Sequence, residues 1–198
     1  MGMAFPVPPT AADEPIYYTA DLVDALNGTD GRVAAWYECV DGELLVTTDV
    51  PRPWHAALVD RLHDALRAYA RREPAAGYVS SQPVKFTFGR ADVNVRPDVW
   101  AIRTDEWRAQ DWGAVTVPLL LAEVLSPSTG RNDRFAKRRA YQRAGVPVYW
   151  VVDGDERWVE VWTPELLFPH FEREQLVWHP EGAAEPFTLA LAELFAPV

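Results

Sequence analysis

The chain has 198 residues, 48% of them hydrophobic and 24% charged, close to the roughly 45–50% and 25% of ordinary globular domains, so one domain with a sizeable core is expected. No apolar run reaches the roughly 18–20 residues of a membrane span, and Met1-Gly2-Met3-Ala4-Phe5-Pro6 lacks the basic and apolar parts of a secretory signal. A single cysteine, Cys39, excludes an internal disulfide and fits a reducing, cytoplasmic setting, and a net charge of −10 argues against indiscriminate nucleic-acid binding.

Residues 1–15 are rich in Pro and Ala and are expected to form a flexible tail before a single domain at 16–198. Thr19 can cap a short helix. Segments 32–40 and 44–48 flank Asp41-Gly42 and are expected to form a hairpin. Pro51 and Pro53 precede a long helix over 54–71, whose Leu58, Leu62, Leu66 and Tyr69 recur at helical spacing. Strands are expected over 78–88, 94–102 and 116–125. A second helix over 131–144 stops at Gly145 with Pro147 beyond it. The run 146–152 reads as a buried strand paired with 158–162 through Asp153-Gly154-Asp155. This order predicts an α+β fold, a mixed sheet flanked by helices.

Asp98 and Glu123 fall where a half-buried sheet ordinarily wants apolar residues. A carboxylate buried without a partner costs several kcal/mol or becomes neutral, so each requires a cation, either a side chain or a metal. In helical projection Asp133, Ala136, Lys137, Ala140, Tyr141 and Ala144 share the face of the second helix that can lie against the sheet. Lys137 is one of only two lysines beside seventeen arginines, which marks a position where a compact positive charge is wanted. The alternative is a lysine snorkelling at the edge of that face.

Together the three residues suggest one hard divalent cation held by Asp98 and Glu123, with Lys137 offsetting charge at a phosphate. The competing reading is a structural ion pair. Two carboxylates against one lysine leave a negative charge over, which a divalent ion answers better. The stretch 131–143 carries six basic residues and one acid, a local +5 that leaves −15 on the rest; Arg131, Arg134 and Arg138 are its weak candidates for contacting nucleic acid. A solvated helix pairing with the protein's own acids explains that charge equally well. The nine tryptophans fit core or dimer packing better than base stacking.

Several segments resemble the Uma-two family of restriction-endonuclease-like proteins, a branch of the PD-(D/E)XK nuclease superfamily. Glu38-Cys39-Val40-Asp41-Gly42-Glu43-Leu44 resembles its N-terminal hairpin, His55 the histidine opening its first long helix, and Pro97-Asp98-Val99 the PD half-motif. Glu123-Val124-Leu125-Ser126-Pro127-Ser128-Thr129 resembles its next conserved stretch, and Asp133, Lys137, Tyr141, Gly145-Val146 and Tyr149-Trp150 follow in the family's spacing.

The resemblance implies a restriction-endonuclease-like core with an N-terminal hairpin and hydrolysis of DNA phosphodiesters with Mg²⁺ or Mn²⁺. It makes Asp98, Glu123 and Lys137 catalytic, with Asp98 and Glu123 as metal ligands. Glu43, His55, Asp133 and Tyr141 are supporting candidates. The superfamily's usual lysine position is Leu125 here, so Lys137 stands in from the following helix. DNA is the expected partner, a homodimer the expected assembly, and no membrane is implied. Two rivals stay open: a non-catalytic homodimeric interaction module that keeps the fold, and a metal-independent two-carboxylate hydrolase such as a glycosidase.

Overall fold

A computed structural model describes residues 16–28, 35–48, 52–112 and 115–197; the proposed tail lies outside them. After helix α1 (Ala20–Gly28) come the hairpin β1 (Trp36–Val40) and β2 (Glu43–Thr47), the long helix α2 (Pro53–Ala70), and strands β3 (Tyr78–Ser80) and β4 (Val99–Ile102). Helix α3 (Thr104–Ala109) leads to β5 (Leu120–Val124). One continuous helix then runs through α4 (Gly130–Asn132), a π-helical turn at Asp133–Lys137 and α5 (Arg138–Arg143). It is followed by β6 (Tyr149–Asp153), β7 (Trp158–Trp162), β8 (His170–Glu172), β9 (Gln175–Trp178), β10 (Phe187–Ala190) and α6 (Leu191–Leu194).

Strands β3-β4-β5-β6-β7-β8 form one six-stranded sheet in that order. β5 and β6 run parallel, with Glu123 opposite Val151, and the other neighbours are antiparallel. A parallel pair needs a long crossover, and the α4–α5 helix supplies it. Strands β4, β5 and β6 are buried along their whole length, because both faces of the sheet are covered.

Side-chain alternation divides those strands between two cores. Val99, Ala101, Leu120, Ala122, Val124, Trp150 and Val152 meet Leu58, Leu62, Leu66 and Tyr69 of α2. Trp100, Ile102, Leu121, Tyr149 and Val151 face the other way, toward Ala140 and Tyr141 of α5 and Val40 and Leu45 of the hairpin. Glu123 shares the phase of Leu121, so its carboxylate points to the side covered by the α4–α5 helix and the hairpin.

The strands are shorter than the sequence pattern predicts, and prolines account for much of the difference. Pro118 precedes β5 and Pro97 precedes β4; each lacks a ladder donor and displaces pairing from its own position. Asp98 therefore lies in a bend just ahead of β4 rather than inside a strand. The expected strand over 78–88 pairs with β4 only at Tyr78, Val79 and Ser80, and the chain near Pro83 leaves the sheet and returns as an isolated bridge, Phe86 to Val95. A second bridge, Cys39 to Asn94, pins the hairpin against the segment leading to Asp98. Thr19 caps α1 as expected, accepting a hydrogen bond from the Leu22 amide at 3.2 Å. The α4–α5 helix ends in a Schellman pattern: Gly145, at φ +76°, lets Val146 N bond Tyr141 O and Gly145 N bond Gln142 O, each at 3.0 Å.

Candidate active site

A cavity of about 340 Å³ opens where the hairpin, the start of α2, the bend before β4, the end of β5 and the α4–α5 helix meet. Glu38, His55, Asp98, Glu123 and Lys137 all line it. Glu123 arrives through strand alternation, and Lys137 through the π-turn, which buries Lys137 together with Asp133 one turn before it. π-turns recur at functional sites.

The Lys137 ammonium is almost fully enclosed and meets three carboxylates: Glu38 Oε2 at 2.8 Å, Glu123 Oε1 at 3.0 Å and Asp133 Oδ1 at 3.3 Å. Burial disfavours its charge, but the carboxylates of Glu123, Glu38 and Asp133 outweigh burial and hold its pKa well above the ordinary lysine value. Tyr141 donates its hydroxyl to Glu123 Oε1 at 2.9 Å, and Tyr149 donates to the Asp133 carbonyl at 3.1 Å. Burial pushes the Glu123 carboxyl well above its usual range against the pull of Lys137. It lifts Asp133 to about 6 against the same pull.

Asp98 is held differently. Its Oδ2 accepts the Val124 amide at 2.8 Å, so the side chain takes over a donor at the end of β5. Burial raises its pKa and the His55 ring opposes the rise. His55 Nε2 lies 2.9 Å from the Val124 carbonyl and 3.6 Å from Asp98 Oδ2. A carbonyl only accepts, so Nε2 carries the proton. Among the described residues, the hydrogen bonds to these two carboxylates fall on Asp98 Oδ2 and Glu123 Oε1, and none falls on Asp98 Oδ1 or Glu123 Oε2.

The fold therefore brings Asp98, Glu123, Lys137 and His55 to one cavity, with Asp133 and Tyr141 buried behind it against Lys137 and Glu123. Glu43 is elsewhere: it is exposed at the start of β2, opposite Val40. The hairpin acid that reaches the cavity is Glu38, whose Oε1 accepts the Arg96 amide at 2.6 Å. It was legible by the same signal as Glu123, an acid set among apolar strand residues. The arginines of the helix are largely engaged within the protein. Arg134 bonds Asp153 Oδ2 and Glu160 Oε1, both at 2.6 Å. Arg138 lies over the Trp162 ring at 4.6 Å and bonds Gln142 Oε1 at 2.6 Å. Arg131 is exposed and lines an adjoining cavity that shares Ser126 with the first.

The chain is similar to the crystal structure of "a putative nuclease belonging to DUF820" from Anabaena variabilis, with a TM-score of 0.70 and 19% identity over 90% of this chain and 98% of that one. At that identity the likeness shows the fold. No curated protein matches the chain. The Uma2 family, described as "Putative restriction endonuclease", matches residues 31–192, a span that takes in the hairpin, both long helices, the whole six-stranded sheet and every residue of the cavity. By that match the chain belongs to the Uma2 family of restriction-endonuclease-like proteins.

Proposed function

We propose that the chain is a divalent-metal-dependent endonuclease that hydrolyses DNA phosphodiester bonds at the cavity lined by Asp98 and Glu123. The observation that carries this reading is that both carboxylates present an unbonded oxygen to one cavity beside a buried lysine whose three contacts are all acidic. Family membership points to a metal, and the donors suit a hard one: two carboxylates and the second lone pair of the Val124 carbonyl. Among the described residues no group of three or more His, Cys, Asp or Glu is arranged for a metal. Water would complete the shell, an arrangement Mg²⁺ and Mn²⁺ accept. When bound, the ion supplies Lewis-acid charge at the phosphate and acidifies a water.

The protein's own groups prepare that site. Lys137 opposes the effect of burial on Glu123 and favours its charged form, and Tyr141 fixes which carboxylate oxygen faces inward. With its three contacts taken, Lys137 acts through Glu123 and Glu38 rather than by reaching the phosphate, which makes it a positioning residue. His55 holds the Val124 carbonyl and sits beside Asp98, so the two ligand-bearing segments keep one geometry.

Titration calorimetry with Mg²⁺ and Mn²⁺, paired with DNA cleavage assays, tests the assignment. Asp98→Asn and Glu123→Gln should each weaken ion binding by at least about tenfold and abolish cleavage. Unchanged binding and cleavage in both variants would refute it. One observation favours the second reading, a non-catalytic homodimer: edge strand β8 and the turn before it expose Phe171, Leu167 and Phe168, the kind of surface that pairs with another chain. A stable dimer that binds no divalent ion would establish that reading instead.

A further inference from the structure

We infer that the site takes its substrate as an unpaired nucleotide, with one base stacked on Trp36, so that single-stranded rather than duplex DNA is bound. This rests on the nuclease reading above and adds the class of substrate to it.

Trp36 opens β1, two residues before Glu38, and lines the same cavity as the carboxylates, yet 60% of its surface is exposed. The other tryptophans are differently placed. Trp100, Trp150, Trp162 and Trp178 are buried in the cores. Trp107 stacks on Tyr78, and Trp112 meets Trp100 and Trp107 edge-on. Among the described residues no other ring packs on Trp36. Thr47, its cross-strand partner, and Pro83 also line the cavity. An indole left open at the mouth of a polar-floored cavity is a stacking platform, because every base has a π-face.

The charges favour the same conclusion. Duplex binding relies on several lysines and arginines that neutralise phosphates. The basic side chains lining this cavity are all engaged. Lys137 faces three carboxylates, His55 holds the Val124 carbonyl, and Arg96 bonds the Tyr37 carbonyl at 3.2 Å and Asp24 Oδ1 at 3.1 Å. Within this cavity no basic side chain is left to neutralise several phosphates, exposed Arg131 lying in the adjoining one, and base stacking provides a contact of another kind. In a duplex the base faces are covered by their neighbours, so the stacked base has to come from a single strand or be taken out of its helix. A volume of about 340 Å³ lies within the roughly 300–1,000 Å³ of small-ligand sites, suited to one nucleotide rather than a double helix.

Fluorescence anisotropy with a fluorescein-labelled 12-mer tests this, presented as a single strand, as a duplex and as a single strand of abasic sites, with Ca²⁺ present. The full chain should bind the single strand at least tenfold more tightly than the duplex. Trp36→Ala should weaken single-strand binding by about 5- to 150-fold, Trp36→Phe should retain most of it, and the abasic strand should be indifferent to either change. The salt slope should be shallow, a log–log value of about −0.7 to −1.4, corresponding to one or two phosphate contacts. Equal binding of strand and duplex, or a Trp36→Ala variant that binds single strands as well as the parent, would overturn the inference. The two readings can fail separately. Trp36-dependent binding with no cleavage under Mg²⁺ or Mn²⁺ would refute the nuclease and keep this substrate class. Duplex cleavage indifferent to Trp36 would do the reverse.

Discussion

Lys137 lies closer to Glu38, at 2.8 Å, than to Glu123, at 3.0 Å, although Glu38 comes from the N-terminal hairpin and Glu123 from the strand just before the lysine's helix. The hairpin is thus tied into the cavity by a nearly buried ion pair. Removing one partner of such a pair strands the other in a poorly solvated place. Lys137→Met should therefore destabilise the fold by about 3–5 kcal/mol. With Glu38→Gln in a double-mutant cycle, urea denaturation should give a coupling of about 0.5–3 kcal/mol. Additive effects would mean that the contact contributes nothing to holding the hairpin.

Much of this arrangement is legible in the sequence. Acids at Asp98 and Glu123 inside apolar runs, and a lysine on the alanine-lined face of a helix, point to one buried polar centre, and the structure places all three on one cavity. The long-range pairings were not legible. Nothing local in the sequence says that Cys39 bridges Asn94, and that bridge is what brings Glu38 rather than Glu43 to the lysine. At Pro97 and Pro118 strand-like composition runs on but the ladder cannot. The charge of the α4–α5 helix could be counted, whereas its use could not. Asp153 and Glu160, which engage Arg134, belong to β6 and β7, and only the folded crossover sets them beside it.

Gly77 joins the turn after α2 to β3 at φ +74° and ψ −150°, a region of backbone space that is essentially glycine's alone. A Cβ there would also run into the Ile102 carbonyl oxygen and come within 3.0 Å of Leu119 Cδ1. Backbone strain and overpacking add in the same direction. Gly77→Ala should lower stability by about 2–5 kcal/mol, read as a shifted urea midpoint at unchanged m-value. A loss below about 1 kcal/mol would show that the β3–β4 edge can move aside, since ordinary surface changes fall within about 0.5 kcal/mol.

Asp133 gives the site a pH dependence of definite sign. Burial raises its carboxyl from 3.8 to about 6, against the pull of Lys137. Between those two values the folded protein holds a proton that the unfolded chain has released. Stability from this group is therefore fully present below about pH 4 and is lost as pH rises toward 6. Asp133→Asn removes the titration while keeping much of the shape. Thermal unfolding of the metal-free protein should show the parent losing ground to Asp133→Asn between pH 4 and pH 6, with the gap constant from about pH 7 upward. Asp98 and Glu123 are also raised by burial and slope the same way in both proteins, so it is the difference between parent and variant that reports on Asp133. A difference that does not change with pH would mean that Asp133 is ionised throughout and that Lys137 fully answers its charge.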